Sequence, residues 1–127
     1  MSDCILDTSV LIDILRKNPR ALTWHTSLGS KRVAITPIVW FEIVEGARNT
    51  IERGQILRFL KQFRIEHSTP DDHRWAMLQF AHYHLSHGAE WVDVMIASVA
   101  VRLDAPLYTM NIKHYAPLPG VDARKPY

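Results

Sequence analysis

Three acidic residues and one amide lie within, or directly after, stretches of sequence that otherwise read as buried hydrocarbon: Asp7, Glu42, Asp93 and Asn111. An unpaired carboxylate in a low-dielectric interior costs several kcal/mol or more, so such groups are normally paired, protonated or bound to a metal. No Lys or Arg stands directly beside the three acids in these stretches. A set of oxygen ligands favours a hard divalent cation, Mg²⁺ or Mn²⁺, over Zn²⁺, which prefers Cys and His.

Each of these residues also has a structural interpretation when it is taken alone. Asp7, followed by Thr8 and Ser9, can cap a helix that begins after a strand. Asp93 can be a first-turn acid that complements a helix dipole, and Asn111 is a common turn residue. The metal interpretation therefore depends on the four residues meeting at one place in the fold.

Short apolar segments alternate with amphipathic helices along the chain. Strands are predicted at 2–6, 32–35 and 107–109, with a further short strand near 64–66. Thr36-Pro37 and Thr69-Pro70 predict helix starts, with Thr as the N-cap and Pro at the first helical position. This alternation predicts an α/β fold with a short, mainly parallel central sheet, and residues 1–127 are expected to form a single domain.

The strand order along the chain indicates where the polar residues would meet. In an open parallel sheet, ligands bind beyond the carboxyl ends of the strands. Asp7 directly follows the first strand, Asn111 follows the strand at 107–109, and Asp93 is near the start of its helix. Glu42 lies further inside its helix and must reach the site sideways. A divalent cation held there can activate water for attack on a phosphodiester.

Composition limits the other classes of function. The 127 residues are 47% hydrophobic and 22% charged, with 15 Lys and Arg against 13 Asp and Glu, which permits an anionic partner. The single cysteine, Cys4, excludes an internal disulfide and is typical of a reducing compartment. No secretory signal and no apolar run of ~18 residues is readable, so we expect a cytoplasmic protein that does not cross a membrane.

Four segments, one around each polar residue, carry a family resemblance: 5–13, 41–48, 92–97 and 108–115. In order and spacing they resemble PIN-domain ribonucleases, and in particular the VapC-type toxins of prokaryotic toxin–antitoxin pairs. The resemblance implies a three-layer α/β/α fold and an Mg²⁺-dependent endoribonuclease, with Mn²⁺ as a possible substitute. It also implies an RNA substrate, a cognate antitoxin that neutralises the enzyme, and a homodimer.

The resemblance also implies roles for individual residues. Asp7, Glu42 and Asp93 would form the metal site, with Asn111 as a fourth, uncharged catalytic position. Three hydroxyl-bearing residues would orient the carboxylates by hydrogen bonding: Thr8, Ser9 and Thr109.

Two further acids and one group of histidines leave alternatives open. Glu45 and Glu90 each stand three residues from a site acid, so helical geometry could bring either to the metal or its waters. His84 and His87 could share a helical face with a zinc ion, but solvated histidines are the more common arrangement without cysteine partners.

Three rival functions are compatible with a strand-end aspartate. An aspartyl phosphatase-type hydrolase commonly has a second acid two residues after its nucleophile, where this chain has Ser9. A receiver domain would have an adjacent acid pair and a late Lys, which are not in place. A catalytically silent PIN-like module that only binds RNA or protein is the third rival, and the retained Asp7, Glu42 and Asp93 argue against it.

Overall fold

A five-stranded parallel sheet forms the centre of the protein in a computed structural model, which describes residues 1–127. The strand order is β3-β2-β1-β4-β5, and every neighbouring pair is parallel. The strands are short: β1 Cys4–Leu6, β2 Val33–Ile35, β3 Arg64–Ile65, β4 Leu107–Tyr108 and β5 Ala123–Arg124. The predicted α/β fold with a short parallel sheet is confirmed.

Seven helices connect the strands: α1 Thr8–Leu15, α2 Pro19–Ser27, α3 Pro37–Glu45, α4 Thr50–Leu60, α5 Pro70–His87, α6 Trp91–Leu103 and α7 Ile112–Tyr115. Connections between parallel strands are right-handed. The connections through α1–α4 step from β1 towards β3, whereas those through α5–α7 step in the opposite direction. The two groups of helices therefore cover opposite faces of the sheet, which gives the three layers expected from the resemblance.

Helix starts follow the capping residues in the sequence. Thr36 and Thr69 cap α3 and α5, each with Pro at the first helical position, as predicted. In α5 the cap is reciprocal, because Asp72 also accepts a hydrogen bond from the backbone N–H of Thr69. The helix ends at Gly88, whose φ of 63° is a left-handed conformation that glycine adopts without steric cost.

The order of the strands creates a switch point between β1 and β4. From β1 the chain proceeds towards one edge of the sheet, and from β4 it proceeds towards the other. Asp7 directly follows β1 and Thr109 directly follows β4, so both lie at the carboxyl ends of these neighbouring strands. A crevice at this position is the usual ligand site of an open α/β sheet.

Two short elements near the C-terminus have no counterpart in the sequence-based prediction. Strand β5 pairs with β4 through Leu107 and Ala123 and through Tyr108 and Arg124. Helix α7 is a single turn that packs against α6 and β5. Both elements are too short to produce a readable periodicity. No helix in the structure has the length and apolar character needed to span a bilayer.

Candidate active site

Asp7 lies between the end of β1 and the first turn of α1, where it serves as the helix N-cap. Its side chain is buried and accepts hydrogen bonds from the backbone N–H of Thr8 at 2.8 Å, from Ser9 Oγ at 3.2 Å and from Thr109 Oγ1 at 2.7 Å. Three donors and the positive end of a helix dipole stabilise a negative charge at this position. Both carboxylate oxygens are therefore held in place.

The two hydroxyls that hold Asp7 are themselves oriented by the backbone. Ser9 Oγ accepts from the N–H of Met110 at 3.0 Å, and Thr109 Oγ1 accepts from the N–H of Asn111 at 2.9 Å. Since each hydroxyl accepts from a backbone donor, its own proton is directed at Asp7. The network joins α1 to the segment after β4, across the switch point.

Asp93 occupies the first turn of α6, is 8% exposed, and has both carboxylate oxygens in contact with α7. Tyr115 donates its hydroxyl proton to Oδ1 at 3.4 Å, and Nδ1 of His114 lies 3.2 Å from Oδ2. Burial, followed by the negative charge of Asp7, raises the pKa of Asp93 to about 6, against the opposing effects of His114 and Tyr115. Asp7 and Asp93 therefore form a buried pair of like charges.

A third buried acid, Asp72, shows how this fold stabilises a carboxylate that has a structural role. Asp72 is 4% exposed and caps α5, and both of its oxygens accept from Nε of Arg102, at 3.1 and 2.9 Å. No Lys or Arg forms an ion pair with Asp7 or Asp93. The pair at the switch point therefore has no guanidinium like the one beside Asp72, and the imidazole of His114 is the only basic side chain paired with it.

Glu42 lies on α3 and is exposed at the edge of the site. Its Oε1 accepts a hydrogen bond from Thr8 Oγ1 at 2.7 Å, which links it to the residue next to Asp7. Glu42 also lines a groove of about 590 Å³ between α1, α3 and α4, with an apolar lining from Ile12, Leu15, Ile43 and Ile56. Glu42 thus connects the buried acids to an open groove.

Three other residues that the sequence indicates as candidates make few or no side-chain contacts with the buried acids: Asn111, Glu90 and Glu45. Asn111 is exposed, and it contacts the network only through its backbone N–H, with no side-chain hydrogen bond. Glu90 is exposed at the N-cap of α6, and its charge is one of the causes that raise the pKa of Asp93. Glu45 is exposed at the end of α3, and its side chain forms neither a hydrogen bond nor an ion pair. The segment after β4 thus reaches Asp93 through His114 and Tyr115 instead of through the Asn111 amide.

Tyr115 is a residue of the site that the sequence alone does not indicate. The residue is almost completely buried, and burial together with the charges of Asp7 and Asp93 raises its pKa above the usual range, so the hydroxyl remains a donor. Its position four residues after Asn111 becomes informative only once α7 is known to turn back towards α6. Neither apolar periodicity nor a capping pattern marks that turn in the sequence.

The donor set fits a hydrated hard cation better than a closed metal cage. No three His, Cys, Asp or Glu side chains in the protein stand close enough together to hold a metal ion by themselves. Mg²⁺ commonly binds through one or two carboxylates and keeps several waters, to which substrate phosphates are added. The buried pair Asp7 and Asp93, which has no Lys or Arg partner, meets that requirement together with the nearby Glu42, so the residues present fit the ion.

Comparison with known proteins identifies the family. The family model described as PIN domain matches residues 4–116. This chain belongs to the PIN-domain family. The PIN-domain chain is 30% identical over 126 residues to "Ribonuclease VapC19" from Mycobacterium tuberculosis, covering 97% of this chain and 98% of the relative. It is 32% identical over 113 residues to "Ribonuclease VapC10" from the same species, covering 87% and 84%.

Two solved structures share the fold of this chain. A toxin–antitoxin complex from Klebsiella pneumoniae superimposes with a TM-score of 0.80 at 23% identity, covering 98% of each chain. A DNA-bound VapBC from Salmonella typhimurium superimposes with a TM-score of 0.79 at 19% identity over the whole of both chains. The resemblance read from the four sequence segments is thereby confirmed at the level of family and fold.

Proposed function

We propose that this PIN-domain protein is a metal-dependent endoribonuclease toxin of the VapC type. The observation that carries the proposal is the buried Asp7–Asp93 pair, which lies at the switch point of the sheet and has no Lys or Arg partner. The curated relatives that match nearly the full chain are ribonucleases by name. Geometry and family therefore support the same class of chemistry.

Asp7 and Asp93 would hold the cation, with Glu42 acting directly or through a bound water. Mg²⁺ is the ion we propose, with Mn²⁺ as a substitute, and when bound it would lower the pKa of water and neutralise charge on the phosphate. The protein contributes the orientation of the oxygens: Thr8, Ser9 and Thr109 hold their acceptors in place through hydrogen bonds. Asn111 is retained in the proposal as an exposed amide at the edge of the site.

In the proposed hydrolysis a water oxygen would bond to phosphorus as the bond from phosphorus to the 3′ oxygen breaks, the water would lose a proton, and the departing 3′ oxygen would gain one. The products carry a 5′-phosphate and a 3′-hydroxyl. Three exposed cationic residues near the acidic segments are candidates for binding the RNA phosphates: Arg16, Arg48 and Lys113. Arg48 already pairs with Glu52, so part of its charge is compensated within the protein.

An antitoxin is the proposed protein partner, and the groove beside Glu42 is its proposed binding site. The groove is apolar at Ile12, Leu15, Ile43 and Ile56, and it carries charged side chains at its rim. An amphipathic segment would fill it with an apolar face and place a cationic side chain near the acids. The structural neighbours include toxin–antitoxin complexes, which supports a partner of this kind, and a homodimer is part of the same proposal.

The experiment that tests the proposal is induced expression followed by mapping of new RNA ends. We expect new 5′-phosphate ends within minutes of induction in cells that make the protein without a partner. Cells that make Asp7→Asn at the same level serve as the control and should lack these ends. New ends that carry 5′-hydroxyls, or ends that persist with Asp7→Asn, would contradict a metal-dependent hydrolysis at this site.

A further inference from the structure

Helix α7 supplies both hydrogen-bond partners of the Asp93 carboxylate. The Tyr115 hydroxyl donates to Oδ1 at 3.4 Å, and His114 Nδ1 lies 3.2 Å from Oδ2. Asp7, in contrast, is held by donors from α1 and from the residue after β4. The orientation of Asp93 therefore depends on one short helix, whereas the three hydrogen bonds that hold Asp7 come from other elements.

The hydroxyl of Tyr115 requires a specific explanation. The residue is 1% exposed at the end of a one-turn helix, where phenylalanine would fill nearly the same volume. Burying a hydroxyl without an acceptor costs free energy, so its position is favoured only where an acceptor is present. Here the acceptor is the carboxylate of Asp93, and the charge of Asp7 also acts on the hydroxyl.

The two partners of Asp93 differ in how easily water can replace them. The His114 side chain is 49% exposed, so a water molecule can take its place beside Oδ2. Tyr115 is enclosed between α6 and β5, and its ring would still occupy the space next to Oδ1 after loss of the hydroxyl. Removal of that one oxygen atom therefore leaves Oδ1 without a donor.

We propose that Tyr115 is a positioning residue of the metal site, whose buried hydroxyl holds the Asp93 carboxylate in one orientation beside Asp7 so that the pair binds a divalent cation. The proposal rests on the metal-dependent function proposed above. Tyr115 would contact neither metal nor RNA and would act through Asp93. Loss of such a partner of a ligand typically weakens metal binding by about 10- to 100-fold.

The test compares Tyr115→Phe with the unmodified protein and with Tyr83→Phe. Tyr83 is a half-buried tyrosine on α5 whose hydroxyl forms no hydrogen bond, so the same chemical change is made away from the acids. Calorimetric titration with Mg²⁺ alone and with Mn²⁺ alone measures metal affinity in the absence of RNA. We expect a Kd roughly 10-fold weaker for Tyr115→Phe and an unchanged Kd for Tyr83→Phe.

A second readout separates positioning from packing. RNA cleavage by Tyr115→Phe should fall at limiting Mg²⁺ and recover towards the unmodified rate at saturating Mg²⁺, because the lost affinity is then compensated by mass action. A packing role would lower the melting temperature in EDTA and leave the metal Kd unchanged. Circular dichroism and thermal unfolding in EDTA establish that each variant is folded.

The outcomes distinguish this proposal from the proposed function. If the unmodified protein binds metal and cleaves RNA while Tyr115→Phe keeps the same Kd, the positioning role is wrong and the function stands. If Tyr115→Phe does not fold, the hydroxyl is a structural requirement and the positioning role is again wrong. If the unmodified protein neither binds Mg²⁺ or Mn²⁺ nor cleaves RNA, the proposed function fails, and the role of Tyr115 fails with it.

Discussion

Asp72 and Asp93 are both buried acids in the first turn of a helix, yet their surroundings differ. Asp72 forms a salt bridge with Arg102 and completes a capping box. Asp93 lies beside Asp7, and its partners are the hydroxyl of Tyr115 and the imidazole of His114. Burial of an acid is therefore not by itself a sign of function in this chain. The candidate site is distinguished by a buried carboxylate that has no Lys or Arg partner and has a second carboxylate nearby.

Because the two acids have different partners, Asp93→Asn and Asp72→Asn should change the melting temperature of the metal-free protein in opposite directions. Asp93→Asn should raise the melting temperature in EDTA, because it removes one of two buried like charges. With the pKa of Asp93 raised from 3.8 to about 6, its ionised form costs the fold at most about 3 kcal/mol. Asp72→Asn should lower the melting temperature, since it removes the charge that pairs with Arg102.

Thermal unfolding of the three proteins at several pH values measures both effects. The pKa of Asp93 is near 3.8 in the unfolded chain and about 6 in the folded protein. The ionised carboxylate therefore does not destabilise the fold below pH 3.8, and it destabilises the fold fully above about pH 6. The advantage of Asp93→Asn should therefore be greatest at pH 7 and shrink towards pH 4. An Asp93→Asn variant that is clearly less stable than its parent at pH 7 in EDTA would mean that Asp93 is structural.

At the scale of elements, the site is assembled where α1, α6 and the segment after β4 meet at the switch point. The hydroxyl of Thr109 connects two of these, since it donates to Asp7 and accepts from the N–H of Asn111. Because this buried hydroxyl both donates and accepts a hydrogen bond, it fixes the distance between the end of β4 and the start of α1. Its removal therefore affects the fold and the site together.

We predict that Thr109→Val lowers the free energy of unfolding by about 1–3 kcal/mol, since it removes one donor to Asp7 and the acceptor of the Asn111 N–H at a fully buried position. RNA cleavage should fall as well, because Asp7 loses one of its three donors. Thr23→Val is the matched control, since the Thr23 hydroxyl bonds only to the exposed first turn of its own helix. Chemical denaturation and a cleavage assay measure the two effects, and equal stability of both variants would contradict this role for Thr109.

Much of this arrangement could be predicted from residue type and spacing. The strands at β1, β2 and β4 are apolar runs, and Thr36 and Thr69 mark helix starts. The site acids are recognisable because they interrupt apolar segments. Tyr115 could not be found in this way, because a buried tyrosine reads as ordinary core until the single turn of α7 is known to bring its hydroxyl to Asp93.

At the scale of the whole molecule, an enclosed pair of acids and an open groove share one residue, Glu42. The groove runs between α1, α3 and α4, and Glu42 accepts a hydrogen bond from Thr8 at the start of α1. A partner that fills the groove would therefore also block access to the acids. We therefore expect that any partner bound in the groove also inhibits catalysis.

We predict that the purified complex with the cognate antitoxin is inactive, and that it resists salt better than the binding of RNA does. Phosphate contacts are lost steeply as salt rises, whereas an apolar groove contact is not weakened in that way. Cleavage assays and binding measurements at about 50 and 200 mM salt compare the two. A protein that is harmless in cells without any partner, and leaves their RNA intact, would contradict the toxin proposal.

The proposed metal centre is tested most directly by RNA cleavage with the purified protein, first in EDTA and then after Mg²⁺ or Mn²⁺ is added in excess. We predict no cleavage in EDTA and full recovery with either ion. Asp7→Asn and Asp93→Asn should each lower the cleavage rate at least ~100-fold. Asp122→Asn is the control, because Asp122 pairs with Arg124 and not with the site acids, and it should cleave at the unmodified rate. Full cleavage in EDTA, or unchanged rates for Asp7→Asn and Asp93→Asn, would contradict a metal centre at the switch point of this sheet.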